Sequence, residues 1–216
     1  RSHEYGVFVL MGALLIIAII IITLQKIYDL RKNQELKIRE LVEYDSLTGV
    51  LSFEGFKKRA KELLLMHPNV PYFLSYNNIR DFKFINDSFG RDAGDELLKF
   101  WAQKLIENLN VDEAIGRITA DRFIVLRHIY KDEMQSDEEN VFEPVENFFI
   151  NKGFDNQVNL CSGIYVLTPN DFVDIDIDRM LDLAMVAEKR IRKSRESNFA
   201  FYNPDQWEKG KRVSDI

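Results

Sequence analysis

Thiols are almost absent from this chain. Its 216 residues hold one cysteine, Cys161, so no internal disulfide can form, and the composition suits a reducing compartment. Cys161 stands in the apolar stretch LCSGIYVL and reads as a buried, inert thiol. Histidine is scarce as well: His3, His67 and His128 lie far apart and make no metal-ligand spacing. Basic residues are not in excess. Lys and Arg number 29 against 35 Asp and Glu, a net charge of −6, which argues against a general nucleic-acid surface. No segment repeats another.

The longest absence is of charge itself. From Tyr5 to Leu24, YGVFVLMGALLIIAIIIITL, no residue is ionisable as an acid or a Lys/Arg base. At about 1.5 Å per residue, a helix of that length spans roughly the 30 Å hydrocarbon core of a bilayer. A helix apolar on every side needs lipid or a large core around it, so residues 5–24 predict a transmembrane helix. The run is too long for the apolar stretch of a signal peptide, and no small-residue cleavage site follows it. Only Arg1 is basic on its N-terminal side, whereas Lys26, Arg31, Lys32, Lys37 and Arg39 follow it. The positive-inside bias then predicts a single-pass protein of the cell membrane with residues 25–216 in the cytoplasm.

Residues 25–43 read as a charged helix in which Ile27, Leu30, Gln34, Ile38 and Leu41 keep an approximate three-four spacing. It is either a solvated stalk that continues the span or a signalling helix that pairs two chains. About 190 residues remain beyond the span, enough for one domain with its own core. Asp45–Gly49 forms a turn, and a helix starts near Ser52, a good N-cap, with Phe53, Phe56, Ala60, Leu63 and Leu64 on its apolar face. Pro71 opens an aromatic-rich strand, PYFLSYN; residues 81–89 are a short helix and 92–109 a longer one. Two strands near 114–118 and 122–129, separated by Thr119, Ala120 and Asp121, predict a β-hairpin. An acidic solvated loop follows, then a helix near 143–151, a strand over 157–167, a helix over 177–193 with Met180, Ala184, Ala187 and Ile191 inward, and a last strand over 198–202. This alternation predicts an α/β (α+β) domain around one central sheet, at least partly antiparallel because of the hairpin.

Three segments stand together: DSLTG at 45–49, FKFINDSFGRDAGDELL at 82–98 and GRITADRFIVL at 116–126. The set resembles the GGDEF family, the diguanylate cyclase domains of bacteria, over about residues 44–203. Asp45, Leu47, Thr48, Gly49, Phe82, Lys83, Ile85, Asn86, Asp87, Gly90, Gly94 and Asp95 fall at the family's spacing. The resemblance implies a palm-like nucleotidyl-cyclase fold, a mostly antiparallel sheet flanked by helices. It also implies a chemistry in which two GTP molecules, one per domain, are joined into cyclic di-GMP with two divalent metals held by carboxylates.

On that resemblance the guanine site is retained: Asn86 and Asp95 read the base, Leu98 packs on it, and Phe82, Lys83 and Arg192 complete the nucleotide-binding set. A carboxylate suits the guanine N1 and N2 donors, and an amide both donates and accepts; the structural alternative is that Asn86 and Asp95 simply cap adjacent helices. The metal site is not retained. The family's first metal carboxylate falls at Asn78, and the hairpin motif reads Thr119, Ala120, Asp121, Arg122, Phe123, which leaves Asp121 as its one acid. Mg²⁺ prefers charged oxygen ligands, so Asn78 and Asp121 would hold it weakly. Thr119 and Ala120 stand where glycines let phosphate approach, which implies another turn type or a more distant phosphate. Arg122 offers an alternative partner for phosphate oxygens. Glu196 reverses the charge of a late family arginine, Met185 replaces an aspartate, and the product-site pattern R-x-x-D falls at Asn110 and Glu113 and is absent.

The leading expectation is a membrane-anchored, non-catalytic GGDEF domain that senses GTP or dimerises within cyclic di-GMP signalling. An active cyclase with a remodelled metal site and a purely structural connector are the alternatives. Residues 204–216 read as a linker, and family architecture implies a downstream EAL domain and a homodimer formed through the stalk or the GGDEF face.

Overall fold

The computed structural model describes residues 2–68, 70–129, 138–191 and 199–204. The chain divides into two compact units, residues 1–42 and 43–216. The first is carried by one helix, α1 (Ser2–Glu43). Its Ile16, Ile17, Ile19, Ile20, Ile21, Ile22 and Leu24 are all exposed, and successive residues at 100° intervals place that apolar surface on every side. Among the described residues no helix is long and apolar enough to cross a membrane; the Tyr5–Leu24 segment is only partly covered by residues whose side chains are described.

The second unit opens with the turn at Asp45–Gly49, closed by Gly49 N–H donating to Asp45 O at 2.8 Å. A two-residue strand, β1 (Leu51–Ser52), leads into α2 (Phe53–Met66). Ser52 caps that helix as its composition predicts, its hydroxyl accepting from Gly55 N–H at 3.1 Å. Then come β2 (Tyr72–Ile79), α3 (Phe82–Phe89), α4 (Arg91–Glu107), β3 (Ala114–Thr119) and β4 (Arg122–His128). The predicted helix near 143–151 is broken into a π-turn (Glu138–Phe142), a single turn α5 (Glu143–Glu146) and a 3₁₀ turn (Ile150–Lys152). Pro144 removes a backbone donor at its start, and Gly153, with φ +88°, ends it. β5 (Leu160–Val166), a 3₁₀ turn (Pro169–Phe172), α6 (Ile177–Ile191) and β6 (Phe199–Phe201) complete the described elements.

The six strands form one mixed sheet in the order β1-β3-β4-β2-β5-β6. The two outermost pairings, β1 with β3 and β5 with β6, are parallel, and the three inner ones are antiparallel. Sequence patterning finds the inner strands and misses β1, because two residues carry no periodicity. β2 is central and its alternate side chains feed both faces. On one face Ile79, Phe123, Val125 and Leu160 meet α4 residues Leu97, Leu98 and Trp101. On the other, Leu74, Tyr76, Ile124 and Leu126 meet α2 residues Phe56 and Leu63 and α6 residues Met180 and Ala184. Gly163 fixes how closely α6 sits: a Cβ there would overlap Ala184 O and lie 2.5 Å from Glu188 N. That close seat buries whatever α6 carries at position 188.

Candidate nucleotide and metal site

Two clusters of predicted site residues lie beside the C-terminal end of β2. The first lies between α3 and α4. Gly94 has no side chain, and a Cβ there would overlap Asn86 Oδ1 and come within 3.3 Å of Phe82 Cζ. The bare glycine therefore lets the Asn86 amide and the Phe82 ring lie directly against α4, next to the half-buried Asp95. Phe82 and Asn86 thus meet α4 at Gly94, the residue before Asp95. Lys83 is exposed on the adjoining turn of α3. Leu98 is 1% exposed within the core, so it can meet a bound base only as the floor of this cleft. Arg192, together with Glu196, lies outside the described residues.

The second cluster is the hairpin. Thr119 and Arg122 pair across a two-residue turn, and the ladder shifts register between Arg117 and Thr119. Ala120 adopts φ +45°, the left-handed region in which glycine is at ease and a Cβ is strained. This is how the turn survives without glycine at that position. Two contacts brace it: Arg117 Nε donates to Ala120 O at 2.8 Å, and Arg117 Nη1 pairs with Asp45 Oδ1, also at 2.8 Å. Asp45 in turn accepts from Thr48 N–H at 2.9 Å and from its hydroxyl at 2.6 Å. Burial pushes the Asp45 carboxyl up, but the Thr48 hydroxyl, Arg117 and the Thr48 N–H outweigh it and hold the group below the ordinary aspartate value. The DSLTG turn is thus the buttress of the hairpin, a role that its spacing in sequence does not reveal.

The two predicted metal ligands face other partners. Asn78 is 1% exposed and its Nδ2 donates to Glu188 Oε1 at 2.8 Å. Glu188 is itself 3% exposed on α6, and the Asn78 amide presents its donor nitrogen to that carboxyl oxygen. Asn78 Oδ1 is buried without a hydrogen-bond partner in the structure. Asp121 Oδ2 accepts from Ile79 N–H at 3.1 Å, which ties the turn to the end of β2. Arg122 is exposed, and Phe123 is buried against Trp101, their ring centroids 4.7 Å apart. The donor set is therefore one amide oxygen, one carboxylate engaged with backbone and a neighbouring guanidinium. Two divalent cations need more negative oxygen than that, so these residues do not fit a two-metal site. Among the described residues no cluster of three or more His, Cys, Asp or Glu is placed to hold a metal.

Glu188 was not singled out by the sequence reading. Its signal was available: position 188 is four residues after Ala184 and three before Ile191, on the inward stripe. At the position of the absent product-site motif, Glu113 is a structural acid. Its Oε2 accepts from Asn110 N–H at 2.9 Å and from Arg127 Nε at 3.3 Å, and its Oε1 accepts from His128 N–H at 3.1 Å.

The family described as "Diguanylate cyclase, GGDEF domain" matches residues 42–195. The chain is 33% identical over 106 residues to the cyclic di-GMP phosphodiesterase NbdA of Pseudomonas aeruginosa, covering 44% of this chain and 12% of that protein. It is 28% identical over 169 residues to a diguanylate cyclase of Vibrio cholerae, covering 74% of this chain and 50% of that protein. It spans 12% to 24% of the length of NbdA and of the Bacillus subtilis proteins YhcK and YkoW. In fold it is similar to the coiled coil and GGDEF domain of DgcB from Caulobacter crescentus, solved with c-di-GMP, at a TM-score of 0.64 and 14% identity, covering 83% of this chain and 95% of that one.

Proposed function

The chain belongs to the GGDEF domain family, and from that premise we propose that it is a non-catalytic, guanine-nucleotide-binding regulatory domain of cyclic di-GMP signalling, anchored to a membrane. The observation that carries the non-catalytic reading is the 2.8 Å bond from Asn78 to Glu188. It commits the amide at the first ligand position to a buried carboxylate of α6, and Arg122 adds a fixed positive charge at the hairpin. Loss of several charge contacts at a few kcal/mol each removes many decades of rate, since each ~1.4 kcal/mol is tenfold. Binding has separate support in the approach of Phe82 and Asn86 to α4 at Gly94, next in sequence to Asp95.

Anchoring rests on the uncharged Tyr5–Leu24 run and on the basic residues that follow it. In this reading residues 25–43 are the stalk and 44–203 the regulatory domain. A second copy pairs through the stalk or the GGDEF face, and an EAL phosphodiesterase lies downstream. An active cyclase is the competing reading, favoured by the retained Asp121 and by the unpartnered Asn78 Oδ1. Titration calorimetry of the full chain with GTP tests the proposal: binding that Asp95→Ala abolishes supports nucleotide sensing, and an absence of heat favours a structural connector.

A further inference from the structure

We propose that the hairpin end of this cleft is a metal-independent anion clamp, in which the Arg122 guanidinium takes the phosphate oxygens of a bound guanine nucleotide. The inference rests on the nucleotide-binding reading above. Arg117 is committed to Asp45 and to the Ala120 carbonyl. Arg122, the first residue of β4, is exposed and makes no ion pair or side-chain hydrogen bond with a described residue. Its fork of donors is available to a ligand, and it suits phosphate geometry.

Register places that guanidinium where a cation would otherwise act. The last ladder pair between β2 and β4 is Asn77 with Phe123, so the next step brings Arg122 beside Asn78. Asn78 turns its amide to Glu188, and Asp121 turns Oδ2 to the Ile79 backbone. These contacts engage the Asn78 amide nitrogen and one Asp121 oxygen, and Arg122 is the cationic side chain at this end of the cleft. The side of the cleft is set by the same contacts. Ile79 is followed only by Arg80 and Asp81 before α3 begins at Phe82, so the hairpin tip is tied close to the start of that helix. The exposed Lys83 lies there, and Asn86 lies about 4.5 Å farther along the axis at 1.5 Å per residue. One mononucleotide can therefore place its base on Asn86 and Asp95 and its phosphates toward Lys83 and Arg122.

The clamp makes a demand that a metal site cannot meet: affinity must survive chelation. The test is calorimetry of the full chain in detergent micelles with GTP, once with EDTA and once with millimolar Mg²⁺. The clamp predicts affinities within about twofold of each other, and a loss of roughly tenfold or more in EDTA for Arg122→Ala, as befits a charge-assisted contact. Arg122→Lys recovers part of that loss. Because Arg122 is exposed, circular dichroism of the variants is expected to match the parent. Affinity that rises tenfold or more with Mg²⁺, or that Arg122→Ala leaves unchanged, overturns the clamp while nucleotide binding stands. No heat under either condition overturns the nucleotide reading and the clamp with it.

Discussion

Replacing Asn78 or Glu188 by leucine, singly and together, probes the contact on which the site turns. Asn78→Leu removes the amide that faces a carboxylate only 3% exposed. Losing that hydrogen bond to a buried carboxylate costs about 1.5–3 kcal/mol. Glu188→Leu leaves the Asn78 amide without its acceptor and costs about 1–3 kcal/mol. In the double variant two apolar side chains fill the space between β2 and α6. Its cost is about 1 kcal/mol or less, because apolar replacement of a buried polar pair is often close to neutral. The two effects are thus strongly non-additive, with a coupling of at least about 1.5–3 kcal/mol, the range of a hydrogen bond to a charged group. In a domain of this size each kcal/mol moves the melting temperature by about 2–4 °C, so Asn78→Leu alone lowers it by roughly 3–12 °C. Near-UV circular dichroism is the assay, because it follows tertiary packing and not the helix content contributed by α1. Additive effects, with the double variant as unstable as the sum of the singles, would refute the pairing.

Three further outcomes follow from the geometry. Gly94→Ala places a Cβ onto Asn86 Oδ1; GTP affinity is expected to fall about tenfold or more by calorimetry, with little change in melting temperature because the displaced group is the end of a side chain. Ala120→Gly relieves a residue held at φ +45° and is expected to stabilise the domain by up to about 1–2 kcal/mol in urea unfolding. Asp45 titrates below its ordinary value of 3.8 in the folded state, so its contribution to stability is fully present above that value and disappears as pH falls through the lower folded value. Melting temperatures measured from neutral pH downward should show that acid-side loss, and Asp45→Asn should reduce its slope.

The sequence reveals local chemistry better than long-range partnership. Ser52 announces its helix because a cap acts within four residues, and the alternation of β2 is visible because one strand carries it. Asn86 and Asp95 can be paired on paper because one motif holds both, and Gly94 lets Asn86 approach the helix that carries Asp95. The Asn78–Glu188 bond joins residues 110 positions apart, and no pattern within either segment names the other. The only clue to Glu188 was a charge on an apolar stripe. Arg117 is similar: its partner Asp45 lies 72 positions away, so DSLTG looks like an isolated turn until the hairpin is folded against it. Strand β1 and the broken helix after Glu138 escaped for another reason, since segments of two to five residues have no measurable period.

Turnover is the measurement that bears most directly on the account. The full chain, in detergent micelles with GTP and either Mg²⁺ or Mn²⁺, is predicted to yield no cyclic di-GMP above a heat-denatured control, even where calorimetry shows GTP bound. Sustained formation of cyclic di-GMP that disappears in Asp121→Ala would contradict it, because the cleft would then assemble a competent metal centre from residues whose groups bond Glu188 and the Ile79 backbone.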